Sequence, residues 1–498
     1  MSSTLKITLL VFVIFLAVSA CQAKSIVGQS TATTQPIATP SPTREQTATA
    51  TFTATPVATA TATPYPSFSA SVELDELVYE FEDPENGIYP VWSFGSSLIA
   101  GNTSQTFISG VSLVGEVAPP NNIQCVIYER TPGGWQRRIR MSETTREPCP
   151  IAIDEKHLWV STNPARGELS EPQLLRFDLA ALETPPETLK PEWIDDYHEF
   201  TAWSYRGLGV DSTNGEGLIM NISGYQSQYW AYLDKAGNWS ATGQLFFPPI
   251  KFPDQTTPAA DENNPLRKLR LSYPSLALRD RHAYVLAVSD IEAQDEIVRT
   301  YLENRNESTY LFQQLYFAWT DDITSQPFSE WTELVNLEPA GSAQNQDVWI
   351  APDGTIHLLW TESTLDSRLE FFFPETQEQT SLWHATMREG SLISKEKLAD
   401  SESTGLDTVL ARFFENPEGR LFVFYSAYDA FGSGNNGLME LYSDGKHSRA
   451  FELNMQNTLV WFLSAGQRDG VKPSPFLDLV GIADWGDPDV RYVRIKVE

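Results

Sequence analysis

An all-β fold, a β-propeller built from repeated four-stranded units, is what this sequence predicts, and three observations predict it. Apolar residues recur with period two, in short runs broken by Gly, Asp, Asn and Pro, the pattern of strands and turns rather than of helices. The runs pair into hairpins that return along most of the chain. Core-forming aromatics are dense, with 14 Trp, 18 Tyr and 26 Phe, and every Trp lies beyond Ser69. One four-stranded sheet with that much apolar surface cannot cover both its faces, but radial repetition buries each sheet against its neighbours.

The first 21 residues precede that pattern. Lys6 gives a small positive start, residues 7–18 are almost wholly apolar, and Val18-Ser19-Ala20-Cys21 follows. Twelve apolar residues are too few for a spanning helix, which needs about 20, so the segment reads as a secretory signal. Its closing tetrapeptide resembles the bacterial lipobox, in which the Cys21 thiol takes a lipid. The expectation is a protein held to the bacterial cell envelope through Cys21 and facing outside the cytoplasm; acyl chains supply the membrane affinity. Residues 22–69 form a stalk. Between 31 and 66 there are 13 Thr, 8 Ala and 6 Pro, a composition without the large side chains that offset ordering entropy.

Residues 70–498 carry the strands. Ala351-Pro352-Asp353-Gly354-Thr355 precedes the apolar run 356–361, Asn416-Pro417-Glu418-Gly419-Arg420 precedes 421–426, and Asp154-Glu155-Lys156 precedes 157–161. Gly354 and Gly419 sit where hairpin turns need positive φ. A second hairpin follows most of these, through Pro132-Gly133-Gly134, 234–238, Arg388-Glu389-Gly390 and Ser443-Asp444-Gly445. Paired hairpins give units near 94–140, 149–180, 204–246, 271–333, 345–398, 408–453 and 458–497. Seven blades are favoured over six, the outer half of the second unit being the weak point. Residues 92–95 and 491–497 are expected to share a blade and close the ring. A stacked β-helix and a pair of β-sandwiches are the competing architectures. Residues 291–302 place apolar side chains at helical spacing, which predicts a three-turn helix at one rim. Cys125 and Cys149 fall in adjacent units, in a compartment that permits disulfides; a bond between them and two separate buried thiols both remain open.

With 35 Lys+Arg against 65 Asp+Glu the formal charge is −30, which repels phosphate backbones and argues against a nucleic-acid partner. There is no His-Glu-x-x-His, no zinc-spaced Cys pair, no EF-hand loop and no nucleotide-binding Gly loop. No cofactor or metal site is expected, although calcium held by loop carboxylates stays open.

The turns Asp353-Gly354 and Asp444-Gly445, beside strands rich in aromatics, resemble those of the sialidase-like superfamily of propellers with BNR-type repeats. Residues 145–150 (Thr-Arg-Glu-Pro-Cys-Pro), 316–320 (Tyr-Phe-Ala-Trp-Thr) and 347–362 are similar to stretches of bacterial BNR-repeat-like propeller lipoproteins. The resemblance implies a propeller over about 71–498 and a glycan as ligand or substrate. None of the turns completes an Asp-box. A sialidase also needs three arginines around its substrate, and Arg146, Arg206, Arg270 and Arg368 are the cations available.

The densest polar cluster before an inner strand is Tyr197-His198-Glu199, followed by Tyr205-Arg206. A histidine can titrate near neutrality, which makes His198 a candidate, Glu199 can orient or accept a proton, and Arg206 can grip an acidic sugar. Arg146, beside Glu147, joins the same rim if it precedes the next inner strand. Asp347 and Glu362 flank a hairpin of the fifth unit, with Arg368 soon after, and would divide acid and nucleophile roles if they face each other. Tyr273 and Asp290 frame the fourth unit similarly. The reading is an extracytoplasmic propeller that recognises a glycan or another extracellular ligand; its alternatives are a polysaccharide-cleaving hydrolase or lyase and a protein-binding scaffold.

Overall fold

A computed structural model describes residues 67–93, 95–167, 169–196, 199–201, 205–223, 227–248, 269–429, 433–443, 445–464 and 473–498. Residues 68–498 form one compact unit, an all-β, seven-bladed β-propeller. Six blades are consecutive in the chain: residues 99–140, 151–189, 207–246, 269–336, 342–400 and 407–452. Each is a four-stranded antiparallel meander, with one short added strand, Tyr310–Leu311, in blade 4. First strands of successive blades pack against each other around the ring, and Ile99–Gly101 of blade 1 touches Trp461–Ser464 of blade 7. These first strands therefore line the axis.

Blade 7 joins the two ends of the fold. Trp461–Ser464, Phe476–Ile482 and Val490–Val497 come from the carboxy-terminal end, and the fourth, outermost strand is Ala70–Tyr79. This corrects one expectation. Residues 491–497 do close the ring, but their partner is Ala70–Tyr79, not 92–95. Ala70–Tyr79 alternates exposed and covered positions over its first half and so has the strand period. Trp92 and Ser93 instead follow a turn at residues 90–91, and Trp92 packs near Tyr273 and Trp461.

Asx turns set the hairpins. The Asp154 carboxylate accepts from Lys156 N and His157 N at 2.6 Å and from Trp159 Nε1 at 2.8 Å. Asn416 Oδ1 accepts from Arg420 N at 2.9 Å and Asp353 Oδ1 from Thr355 N at 2.9 Å. Gly354 and Gly419 take φ of 81° and 74°, where any Cβ would be strained. Between blades the contacts are mostly apolar: Trp159, Trp360 and Trp461 are wholly buried, each hiding an area that dominates local packing energy.

The expected helix forms over Glu296–Asn304, with Asp295 as its N-cap. It starts later than its apolar spacing suggests because Ile291 and Glu292 still belong to His282–Glu292, paired with Tyr310–Leu311. Strand pairing outweighs the helical pattern there. Among the described residues no helix is long and apolar enough to cross a membrane. Cys21 lies outside the described residues.

Cys125 and Cys149 are disulfide-bonded, with Cα atoms 6.0 Å apart. The bond ties a middle strand of blade 1 to the segment entering blade 2. Closing a loop with a sequence separation of 24 stabilises by about 3 kcal/mol through the unfolded chain. A Cys125→Ala/Cys149→Ala double variant should lose about that much stability in a denaturant titration, while the wild type under reducing conditions loses the same amount.

Candidate functional site

In an antiparallel meander, the segment entering the first strand and the loop between the second and third strands emerge on the same face of the disc. On that face a small pocket opens near the axis, lined by Trp92, Ser93, Gly95, Glu147, Pro148, Pro150, Tyr205, Arg206 and Tyr273. Segments entering blades 1, 2 and 3 and the first strand of blade 4 contribute to it, and its cavity of about 20 Å³ has room for one small group, such as the head of a ligand lying across the face.

The segment entering blade 2 brings Arg146 and Glu147, both nearly fully buried at 5% and 6% exposure. Arg146 Nη2 donates to Asn86 O at 2.9 Å, and Asn86 Nδ2 donates back to Arg146 O at 3.2 Å. The segment entering blade 3 brings Tyr205 and Arg206. Arg206 Nη1 donates to Ser161 O and Nη2 to Pro148 O, both at 2.9 Å. Arg206 thus braces the backbone on either side of the strand entry of blade 2, and its Nε has no partner. The blade 1 entry is pinned beneath them: Ser96 Oγ accepts from Leu208 N at 3.0 Å. Gly95 lies so close to Pro274 that a Cβ would run into its carbonyl.

Blade 4 supplies the other half. Arg270 and Asp290 pair across its first hairpin. Arg270 Nε donates to Asp290 Oδ2 at 2.8 Å, and Ser272 Oγ donates to the same oxygen at 2.9 Å. The Arg270 guanidinium lies over the Tyr205 ring at 5.2 Å and the Tyr310 ring at 5.4 Å. Tyr205 and Tyr273 have ring centroids 4.5 Å apart and share a side-chain hydrogen bond. Both carry positive φ, 44° and 55°, a conformation that costs a non-glycine residue about 1–3 kcal/mol and persists only where its surroundings impose it. Asn345 Nδ2, donating to Tyr273 O at 2.7 Å, is part of that imposition.

The electrostatics follow from burial. Glu147 is raised to about 7, because desolvation outweighs the attraction of Arg206, Arg146 and Arg270. Arg146 and Arg206 are lowered to about 10 by the same desolvation. The Tyr205 phenol is raised to about 12 by burial, against the pull of Arg270, and Tyr273 is raised well above an ordinary phenol by burial first and Tyr205 second. Both phenols therefore rest as proton donors. Glu147 Oε1 has no hydrogen-bond partner.

Of the candidates named from sequence, the structure brings Arg146, Tyr205, Arg206, Tyr273 and Asp290 together. Tyr197 and His198 lie outside the described residues. Glu199 is exposed beside blade 3, its N–H donating to Ser223 Oγ at 2.9 Å. The pairing of Asp347 with Glu362 is corrected. Asp347, wholly buried, accepts from Val348 N at 2.7 Å and from Phe413 N of blade 6 at 2.9 Å. Glu362 accepts from Trp360 Nε1 at 2.7 Å and pairs with Lys395. In the register Asp347 stands opposite Leu359 and Glu362 opposite Ala343. These carboxylates brace the blade rather than face one another. Arg368 is likewise engaged, with Asp366 and with the carbonyls of Ser308 and Tyr310.

Glu147 was legible only as the neighbour of Arg146, and Arg270 only as one cation among four. His357 and His384 meet at 2.9 Å within blade 5. Among the described residues no three His, Cys, Asp or Glu side chains gather as metal ligands.

No family model matches the sequence, and no curated protein does. Among solved structures, the chain is similar to an ulvan lyase, a polysaccharide lyase bound to a GlcA–Rha3S saccharide. The identity is 11% over 84% of this chain and 95% of that one, with a TM-score of 0.51. A second ulvan lyase structure gives 10% identity over the same shares and a TM-score of 0.50. A protein of unknown function from Dyadobacter fermentans gives 12% identity over 86% and 99%, with a TM-score of 0.43. At these identities the likeness is one of fold. It carries the seven-bladed propeller, and the narrower sialidase-like resemblance draws nothing from it.

Proposed function

We propose that this protein cleaves an acidic polysaccharide by β-elimination at the axial pocket, from a position anchored to the cell envelope through Cys21. The observation that carries the reading is a pocket lined by Arg206 and two protonated, backbone-strained tyrosines, with Arg146 and Arg270 acting beside Arg206 on the Glu147 that also lines it. A protein with a formal charge of −30 that gathers three cations around one pocket has built a local anion site against its own overall field. That the ulvan lyase of like fold binds a saccharide containing GlcA supports the same substrate class.

In elimination the C5–H bond of a uronate sugar breaks and its proton passes to a base. The electron pair forms a C4–C5 double bond, the C4–O bond breaks, and the departing oxygen takes a proton. Cations beside the carboxylate stabilise the charge that develops when C5 loses its proton. Tyr205, held protonated by burial, suits the donation to the departing oxygen. The base then falls to His198 or Tyr197, seven and eight residues upstream.

The full chain should convert uronate polysaccharides to products with the ultraviolet absorbance of an unsaturated uronate. Tyr205→Phe keeps the ring and its packing but removes the proton, so turnover should fall about 10²–10⁴-fold while stability drops only by the lost hydrogen bond to Tyr273, about 1–3 kcal/mol. New reducing ends without that absorbance would turn the reading to hydrolysis. Saturable binding without any product would turn it to recognition alone, which the engagement of Arg206 with two carbonyls also suits.

A further inference from the structure

Glu147 has no part in the elimination chemistry just described, yet it lines the pocket and is nearly fully buried. Its Oε1 is buried and without a partner, and so is Arg206 Nε on the wall beside it. Buried polar atoms of this kind cost about 1–3 kcal/mol each when left unmatched, and these two line one pocket, where a single entering group can meet both. The charged and titratable groups acting on Glu147 are Arg206 of blade 3, Arg146 of its own segment and Arg270 of blade 4. Tyr205 and Tyr273 face the cluster from blades 3 and 4, each feeling Glu147, and Asp290 stands behind Arg270.

We propose that Glu147 is the specificity residue of this pocket, selecting a uronate by sharing one proton between its own carboxyl and the carboxylate of the sugar. The proposal rests on the site assignment above and names what that site selects. A carboxylate ligand brings only acceptors. Arg206 Nε can donate to it directly, and Glu147 can meet it only while carrying a proton. With Glu147 protonated, three arginines face Asp290 alone, and the carboxylate of a uronate offsets part of that positive excess. A neutral sugar would instead offer hydroxyl donors, which an ionised Glu147 would accept.

The two cases have opposite pH dependence. Glu147 loses its proton around pH 7, while a uronate remains ionised throughout. Affinity for a uronate should therefore be full below pH 6 and fall as pH rises through 7, by about 30-fold between pH 6 and 8.5, approaching tenfold per unit. Glu147→Gln presents a permanent N–H donor of the same shape. It should bind within about twofold of the wild type at pH 6 and show a flat profile to pH 8.5. Glu147→Ala, checked for an unchanged unfolding midpoint, should lose at least tenfold at pH 6.

The measurement is equilibrium binding at 4 °C to full chains that all carry Tyr205→Phe to suppress turnover, with a glucuronate-containing tetrasaccharide and the same oligosaccharide with its carboxyls reduced to hydroxymethyl groups; cleavage is assayed separately on chains with Tyr205 intact. Equal binding of the reduced sugar, a profile that rises with pH, a wild-type slope retained in Glu147→Gln, or binding of neither probe would each overturn the proposal. Because binding is read without turnover, it separates the two claims. The predicted slope without any cleavage would sink the lyase reading and leave Glu147 in its role, whereas cleavage with a flat binding profile would do the reverse.

Discussion

A chain that begins at Glu80 should not fold to the native propeller. Ala70–Tyr79 supplies the outer strand of blade 7, in register with Val490–Val497 from Ala70 opposite Val497 to Tyr79 opposite Val490. Its side chains also reach both neighbouring blades. Glu76 pairs with Arg130 of blade 1 at 2.9 Å and accepts from Trp135 Nε1 at 3.1 Å. Tyr79 stacks on Tyr128 at 5.0 Å, and Phe68, just before the strand, packs edge-on against Phe422 of blade 6 at 5.1 Å. Removing the strand exposes Val490–Val497 as an open edge, and such edges template aggregation. Val78 is buried and Val72 and Leu74 half-buried; at about 1.5–3 kcal/mol for a fully buried side chain the three together contribute about 3–5 kcal/mol, a large fraction of the margin by which a fold is stable. The expected result is insoluble protein, or a soluble form without a cooperative thermal transition. A synthetic peptide of residues 67–82, added during refolding, should restore the transition. A truncated chain that melts within a few degrees of the wild type would show that the ring does not depend on this closure.

Asp290→Ala should be the most damaging single substitution at the site, at about 3–5 kcal/mol, the usual consequence of leaving one partner of a buried ion pair alone. The Asp290 side chain is 3% exposed and that of Arg270 14%. Without the carboxylate, the Arg270 charge and the Ser272 hydroxyl both lose their acceptor, and the guanidinium is no longer held over Tyr205. A paired change, Arg270→Met with Asp290→Leu, removes both charges. It should recover most of the lost stability, since apolar replacement of a buried pair is often neutral. It should not recover turnover or uronate affinity, because the cation is gone. Chemical denaturation and product formation, measured on the same three proteins, read the two effects separately. If the double variant regains activity, Arg270 is only a structural strut and leaves the anion site.

How much could be read without coordinates differs between fold and site. The hairpins around Asp154, Asp353 and Asn416 were legible because an Asx side chain and a positive-φ glycine act locally, within a few residues of the turn they set. The closing strand was not. Ala70–Tyr79 has the strand period, but its partner lies more than 400 residues away, and nothing local separates it from the stalk that precedes it. At the site, Tyr205, Arg206, Tyr273, Asp290 and Arg146 could be named as polar groups next to strand starts. Glu147 and Arg270 could not be ranked above other charges, because their meaning is depth and company rather than identity. Asp347 shows the opposite failure. Its position beside a hairpin suggested chemistry, while the structure uses it to hold the backbone of the next blade.

By itself, then, the amino-acid sequence determined the repeat: strand period, turn chemistry, aromatic supply and a hydrophobic load that only neighbouring sheets can cover. These are short-range properties, and each is written within one unit. Tertiary structure alone decided which units meet across the axis, and therefore that three arginines from three different segments surround one carboxyl. Burial and electrostatic coupling depend on distance in space, and in a ring that distance bears no fixed relation to separation along the chain.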